Sequence, residues 1–232
     1  MNRSQPLRML QVITQDLMVI VLVLLAVRII LGTARIWIPV EYRMPGFPPD
    51  RFGFSTEDRI FWSQVDVEFL LGEDELSYFD DYRLPGGAPM HNERELRHMQ
   101  DVYDLIQIVW SVHAWGSVAA AAGLVLLGWR GSLDLVGATL MAAARWILIL
   151  MLAIGVGLVV GFGVFFVGFH RIFFEGDTWL FAYSDTFIRL YPERFWRDTF
   201  ALVVIVTLIE AGLLYLAGRF GPAALKRSRE QV

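Results

Sequence analysis

The sequence predicts a membrane-embedded all-α fold: a four-transmembrane-helix bundle with a small α+β extracytoplasmic cap between helices 1 and 2. Three observations lead there. Of the 232 residues, 56% are hydrophobic, and they are gathered in blocks. Four blocks, at about 13–33, 103–128, 146–169 and 199–217, reach the length a helix needs to cross a bilayer, roughly 20 apolar residues for a ~30 Å hydrocarbon core. The long segment between the first two blocks is acid-rich and carries turn and helix-start signals of its own. The expected organisation is one membrane domain, 1–232, with residues 34–97 as an extracytoplasmic insert.

Charge sets the expected orientation. Arg3 and Arg8 precede the first span, Arg130 and Arg145 flank the connection between the second and third, and Arg219, Lys226, Arg227 and Arg229 follow the fourth. The insert carries Glu41, Asp50, Asp66, Glu68, Glu73, Asp74, Glu75, Asp80 and Asp81. By the positive-inside rule both termini are cytoplasmic, and the insert and residues 170–198 lie outside. No A-x-A-like site closes the first apolar run, so it is read as an uncleaved span and not a signal peptide. With no cysteine, disulfides, thiol nucleophiles and thiolate metal sites are excluded.

The first span places Arg28 inside its apolar stretch, where a cation must snorkel, pair or line a polar cavity. In "FGFSTEDRIFWSQVDVEFLLG", Ser55 and Asp58 have capping-box spacing, and Ile60, Phe61, Val65, Phe69 and Leu70 recur at roughly helical intervals. After Gly72, "ELSYFDDYRLPGGAPMHNE" reads as two short strand-like pieces around a Pro85-Gly86-Gly87 turn. Asn92 and Glu95 form a second capping pattern, starting the helix that becomes span two. Span three holds Gly157 and Gly161, a small-xxx-small pair expected to allow close helix packing. Ser184 or Asp185 can cap a short surface helix, and Pro192 suits the start of another leading into span four. Glu210 lies deep in that span with no partner visible in sequence.

Chemistry points to two histidines at span ends: His98 at the start of span two and His170 at the end of span three. Glu95, His98 and Asp101 stand at i, i+3 and i+6 on one broad helix face. A carboxylate there can orient an imidazole for acid–base work. Asp177 follows His170 across Gly176 and can do the same. His113, mid-span, is expected to bond a neighbouring helix, and His91 to lie at the surface. Glu95-x-x-His98 also has the spacing of helical metal sites, but no second such motif accompanies it. G-x-S-x-G and phosphate-binding Gly-rich loops are both absent. Three functions stay open at this point: histidine-based chemistry at a lipid–water boundary, a noncatalytic lipid- or partner-binding membrane scaffold, and a metal-dependent membrane hydrolase.

"NERELRHMQDVYDL", "FHRIFFEGDTWLFAYSDTFIRLYPERFWRDT" and "FGFSTEDR" together resemble the lipoprotein intramolecular transacylase (Lit) family of bacterial integral membrane proteins, over nearly the whole chain. The resemblance implies an acyltransferase of the bacterial cell membrane, with its site on the outer face. It would move the sn-2 acyl chain of a diacylglyceryl lipoprotein to the α-amine of the N-terminal cysteine, giving a lyso-form product. It further implies His98 and His170 as the working pair, with Glu95, Asp101, Asp177 and Trp179 supporting them; Arg59, and Arg28 from its place within the first span, are added as candidate supporting or substrate-binding cations. No cofactor, metal or nucleic acid is expected; lipoprotein substrates and membrane lipid are the expected partners.

Overall fold

The computed structural model describes residues 4–72 and 75–230; Arg3, Glu73 and Asp74, which enter the charge argument, lie outside them. The helices are α1 (Ser4–Gly32), α2 (Ala34–Tyr42), α3 (Thr56–Leu71), α4 (Glu93–Arg130), α5 (Leu133–Phe173), α6 (Thr186–Leu190) and α7 (Glu193–Glu230), with a 3₁₀ turn at Leu76–Asp81. Four of them, α1, α4, α5 and α7, are long and apolar enough to cross a membrane. Val159, Val160 and Val164 of α5 are each more than 80% exposed, which a lipid-facing surface accepts and water would not.

The described residues fall into two compact units. One holds the residues up to Arg28, Val109–Val156 and those from Leu202 on; the other holds Ile29–Ile108 and Gly157–Ala201. In the first, Met18, Ala120 and Ala143 form one apolar cluster, and Ala144, Ile147, Met151 and Ala211 another. Close backbone approach occurs between Gly137 and Gly218: a Cβ on Gly137 would lie 2.5 Å from the Gly218 carbonyl oxygen. Gly157 and Gly161 do not pack this way. A Cβ on either would meet only side chains of α5 itself, and Gly161 instead breaks the helix dihedrals (φ −162°, ψ 63°) and kinks α5. Arg28 is exposed, its guanidinium 4.8 Å from the Trp110 ring centroid. Neither His113 Nδ1 nor the Glu210 carboxylate oxygens have a hydrogen-bond partner, so the bond expected from His113 is not made at Nδ1.

The second unit is built on aromatic packing around a buried polar network. Its main core joins Phe54, Trp62, Val65 and Phe69 to Phe79, Met90, Met99, Phe187 and Leu190. The α3 capping box forms as expected: the Asp58 N–H donates to Ser55 Oγ (3.0 Å) and the Ser55 N–H to Asp58 Oδ2 (2.8 Å). The expected α+β cap is not found. Among the described residues there is no sheet, only one isolated bridge between Arg83 and Pro89. Its ladder holds two bonds, Leu84 N–H to Ala88 O and Met90 N–H to Tyr82 O. Pro89 has no N–H to add another, and Gly86 and Gly87, both at positive φ, turn the chain at once. The upstream piece closes into the 3₁₀ turn.

Candidate active site

His98 lies in the second turn of α4, and that helix start is firmly fixed. Asn92 Oδ1 accepts from the N–H groups of Arg94 (2.9 Å) and Glu95 (3.1 Å), while Glu95 Oε2 accepts from the Asn92 N–H (2.8 Å). The other oxygen, Oε1, accepts from the Phe187 N–H of α6 (2.7 Å), so Glu95 also ties α4 to α6. Behind it stands His91, whose Nε2–H donates to Asp66 Oδ1 (2.7 Å); Tyr191 donates its hydroxyl to Asp66 Oδ2 (2.8 Å). Burial alone would lower the His91 pKa, but the adjoining Asp66 and Glu95 carboxylates outweigh it and raise it to about 9. His91 is therefore a buried imidazolium in an ion network, not a surface residue.

His170 lies in the last turn of α5, and its ring approaches that of His98: centroids 6.0 Å apart, planes inclined by 26°. Aromatic side chains enclose both. Phe174 touches the two rings, at 4.8 Å from His98 and 5.5 Å from His170. Phe181 flanks His98 (5.5 Å); Phe166 (4.1 Å) and Trp179 (4.9 Å) flank His170. The imidazoles are in residues only 8% and 7% exposed.

Hydrogen bonding fixes one tautomer. His170 Nδ1 lies 2.8 Å from the Phe166 carbonyl oxygen, which can only accept. The proton is therefore on Nδ1, and Nε2 of the neutral ring carries a free lone pair. His98 Nδ1 is buried with no partner. Among the described residues no ion pair joins either ring to a carboxylate, and no group of three histidine, aspartate or glutamate side chains is placed to hold a metal ion. The arrangement offers two imidazoles, one with a defined basic nitrogen, in a nearly dry aromatic enclosure.

Residues 12–196 match the family model described as lipoprotein intramolecular transacylase Lit. The chain belongs to the Lit family. Members are named as transacylases, which makes this a family of acyl-transferring enzymes. The Lit fold is also seen in the in meso structure of the membrane-integral transacylase from Bacillus cereus, at TM-score 0.73 and 17% identity over 98% of this chain and 99% of that one. A histidine-to-alanine variant of the same Bacillus cereus protein aligns at TM-score 0.69 and 16% identity, covering 97% of each chain. An uncharacterized protein of Aquifex aeolicus (strain VF5) is 30% identical over 186 residues, 80% of this chain and 83% of its own length.

In this Lit-family chain, the residues singled out from sequence separate into groups. His98, His170 and Trp179 come together. Asp101 Oδ2 accepts from the Thr178 hydroxyl (3.0 Å), anchoring the connection that carries Trp179 to α4. Glu95 spends both oxygens on backbone N–H groups, as described, and Asp177 is exposed. Arg59 is buried and donates to two carbonyls, Arg189 O (2.8 Å) and Pro48 O (2.7 Å), with Tyr42 and Phe47 stacked on it. Arg28 belongs to the other unit. Sequence reasoning did not find the phenylalanine enclosure or the Phe166 carbonyl. Aromatic residues near span ends read as an interfacial belt, and a main-chain acceptor carries no residue signature.

Proposed function

We propose that this chain transfers the sn-2 acyl group of a diacylglyceryl lipoprotein to the α-amine of the same molecule's N-terminal cysteine, leaving a lyso-form lipoprotein. The observation that carries the reading, within a family of lipoprotein transacylases, is the paired, aromatic-enclosed His98 and His170. An ammonium is not a nucleophile, so a neutral base must first remove its proton. His170 Nε2, its lone pair free because Nδ1–H is held by Phe166, serves as that base. The amine nitrogen then bonds to the ester carbonyl carbon while the π pair moves onto oxygen. The nitrogen sheds its second proton to the neutral His98. When the pair returns, the bond to the glycerol oxygen breaks and the departing oxygen takes a proton from one imidazolium; the other proton leaves to water. The same Nε2 lone pair also suits attack on the ester to form an acyl-imidazole, with the amine as final acceptor.

Ester and amine belong to one molecule, so the enclosure's task is to hold them together, a proximity effect that reaches about 7–11 kcal/mol in ideal cases. Phenylalanines suit the acyl chains, and their exclusion of water protects the ester from hydrolysis. In this reading both termini are cytoplasmic, and the 34–97 insert and the site face outward, where lipoproteins reside. Arg28 meets an ester or headgroup oxygen of lipid, and Asp101 holds the Trp179 connection in place.

The test is expression in a bacterium lacking its own N-acylating enzymes, with tandem mass spectrometry of a reporter lipoprotein's N-terminal peptide beside a His170→Ala control. A lyso-form peptide with an amide-linked chain, lost in the control, is the expected result. Unaltered diacylglyceryl peptide from a well-expressed wild-type chain would overturn the assignment in favour of another lipid substrate or a scaffold.

A further inference from the structure

Besides His98 Nδ1, one further buried polar atom at the site has no partner. Trp179 Nε1 is buried and has no hydrogen-bond partner, although the indole packs on His170 with ring centroids 4.9 Å apart and planes 37° apart. An indole N–H only donates. The side chains around the histidine pair, Phe166, Phe169, Phe174 and Phe181, offer no acceptor. Buried donors are nearly always paired in native proteins, so one left open beside a reactive base calls for an acceptor brought by a ligand. Trp179 does not hang on a loose tether: the neighbouring Thr178 hydroxyl is bonded to Asp101 of α4, and Leu180 O accepts from Arg94 (3.0 Å). The indole is thus clamped on both sides in sequence.

Resting on the transacylase reading above, we infer that the Trp179 indole N–H donates to the carbonyl oxygen of the ester under attack and holds the oxyanion that develops there. As the amine nitrogen bonds to the carbonyl carbon, the π pair moves onto this oxygen and the hydrogen bond strengthens. When the pair returns and the glycerol oxygen leaves, the bond relaxes. Trp179 transfers no proton. That task stays with the imidazoles, and the indole supplies a fixed dipole in a water-poor site, where such donors act most strongly.

The decisive variant is Trp179→Phe, which keeps an aromatic ring against His170 and removes the donor together with part of the indole's bulk. With reconstituted protein and a synthetic diacylglyceryl lipopeptide, kcat should fall roughly 10²-fold while KM stays nearly unchanged, the pattern of an interaction made chiefly in the transition state. A second readout does not depend on turnover. A lipopeptide with a ¹³C-labelled sn-2 carbonyl and an acetylated cysteine amine should show a lowered carbonyl stretching frequency when bound to wild-type protein. That lowering should vanish with Trp179→Phe. Wild-type kcat in the variant, or an unshifted carbonyl on the wild-type protein, would overturn the role of Trp179. If Trp179→Phe does not fold, benzothienylalanine at position 179, an indole isostere with sulfur in place of the N–H, takes its place in both readouts. Failure of the transacylase reading itself looks different: the wild-type protein then forms no amide product at all.

Discussion

The His98 and His170 imidazoles face each other at 6.0 Å between centroids, brought there by the start of α4 and the end of α5 and bridged by Phe174. In the proposed transfer, the two groups act on one substrate as a unit. Substituting either with asparagine should lower the rate of amide formation by about 10² to 10⁴. The double variant should then lose little more than the worse single one, because one half of a relay is of no use without the other. Losses that multiply in the double variant, measured in proteoliposomes, would show two independent roles.

Asp101 and Thr178 form the 3.0 Å bond that pins the Trp179 connection to α4. Asp101→Ala and Thr178→Val should each slow turnover about tenfold, since small misplacements near reacting atoms are costly. Combined, they should lose no more than one alone, a coupling of about 1 kcal/mol in a double-mutant cycle. Full additivity would mean that the bond positions nothing.

Glu95 satisfies the Asn92 and Phe187 N–H groups from a site that is 1% exposed. Glu95→Ala leaves the buried Phe187 N–H unpaired and strips the Asn92 N–H of its capping acceptor, and should cost about 3 kcal/mol of stability. A fall in the thermal unfolding midpoint in detergent is the check. Glu95→Gln, which keeps an oxygen acceptor, should recover part of the loss.

His91 gives the fold a pH dependence of definite sign. Its folded pKa of about 9 lies above the ordinary value of about 6.5. The stabilisation is therefore complete below about pH 6.5 and is lost as pH rises through about 9, amounting to about 3 kcal/mol. Midpoints for the wild-type protein should fall between pH 7 and 9.5, and those of His91→Gln should be flatter. A parallel fall in the two proteins would assign the dependence to other groups.

Gly137 has no room for a side chain: a Cβ there would also lie 2.8 Å from Pro222 Cγ. Gly137→Val should destabilise by about 2 kcal/mol through overpacking. Activity per folded molecule at low temperature should persist, because the histidines belong to the other unit.

Much of this was legible in the sequence, and particular residues show why. The four apolar blocks had to become helices, since a helix satisfies its own backbone in lipid, and each lies, to within a residue, inside one long helix. The Ser55 and Asn92 caps were readable because both partners sit three residues apart in one segment. His98 and His170 were readable as span-end titratable residues. What failed needed long-range partners. His91 looked like a surface residue until Asp66, 25 positions earlier, was seen beside it. Strand propensity around Pro85 was outweighed by a proline with no N–H to give and a turn of paired glycines. The carboxylate expected to orient an imidazole is replaced, at His170, by a carbonyl four residues upstream on the same helix.

That carbonyl has a wider meaning. Because α5 itself dictates which nitrogen of His170 carries the proton, the chemical identity of the ring is inherited with the helix and owes nothing to the connection that follows. The acids there, Glu175, Asp177 and Asp185, are released from tuning the base. Around the Trp179 stretch that packs on the ring, those acidic positions can change without altering which nitrogen of His170 carries the proton. The tautomer of the ring and the acids of the loop are thus separately heritable.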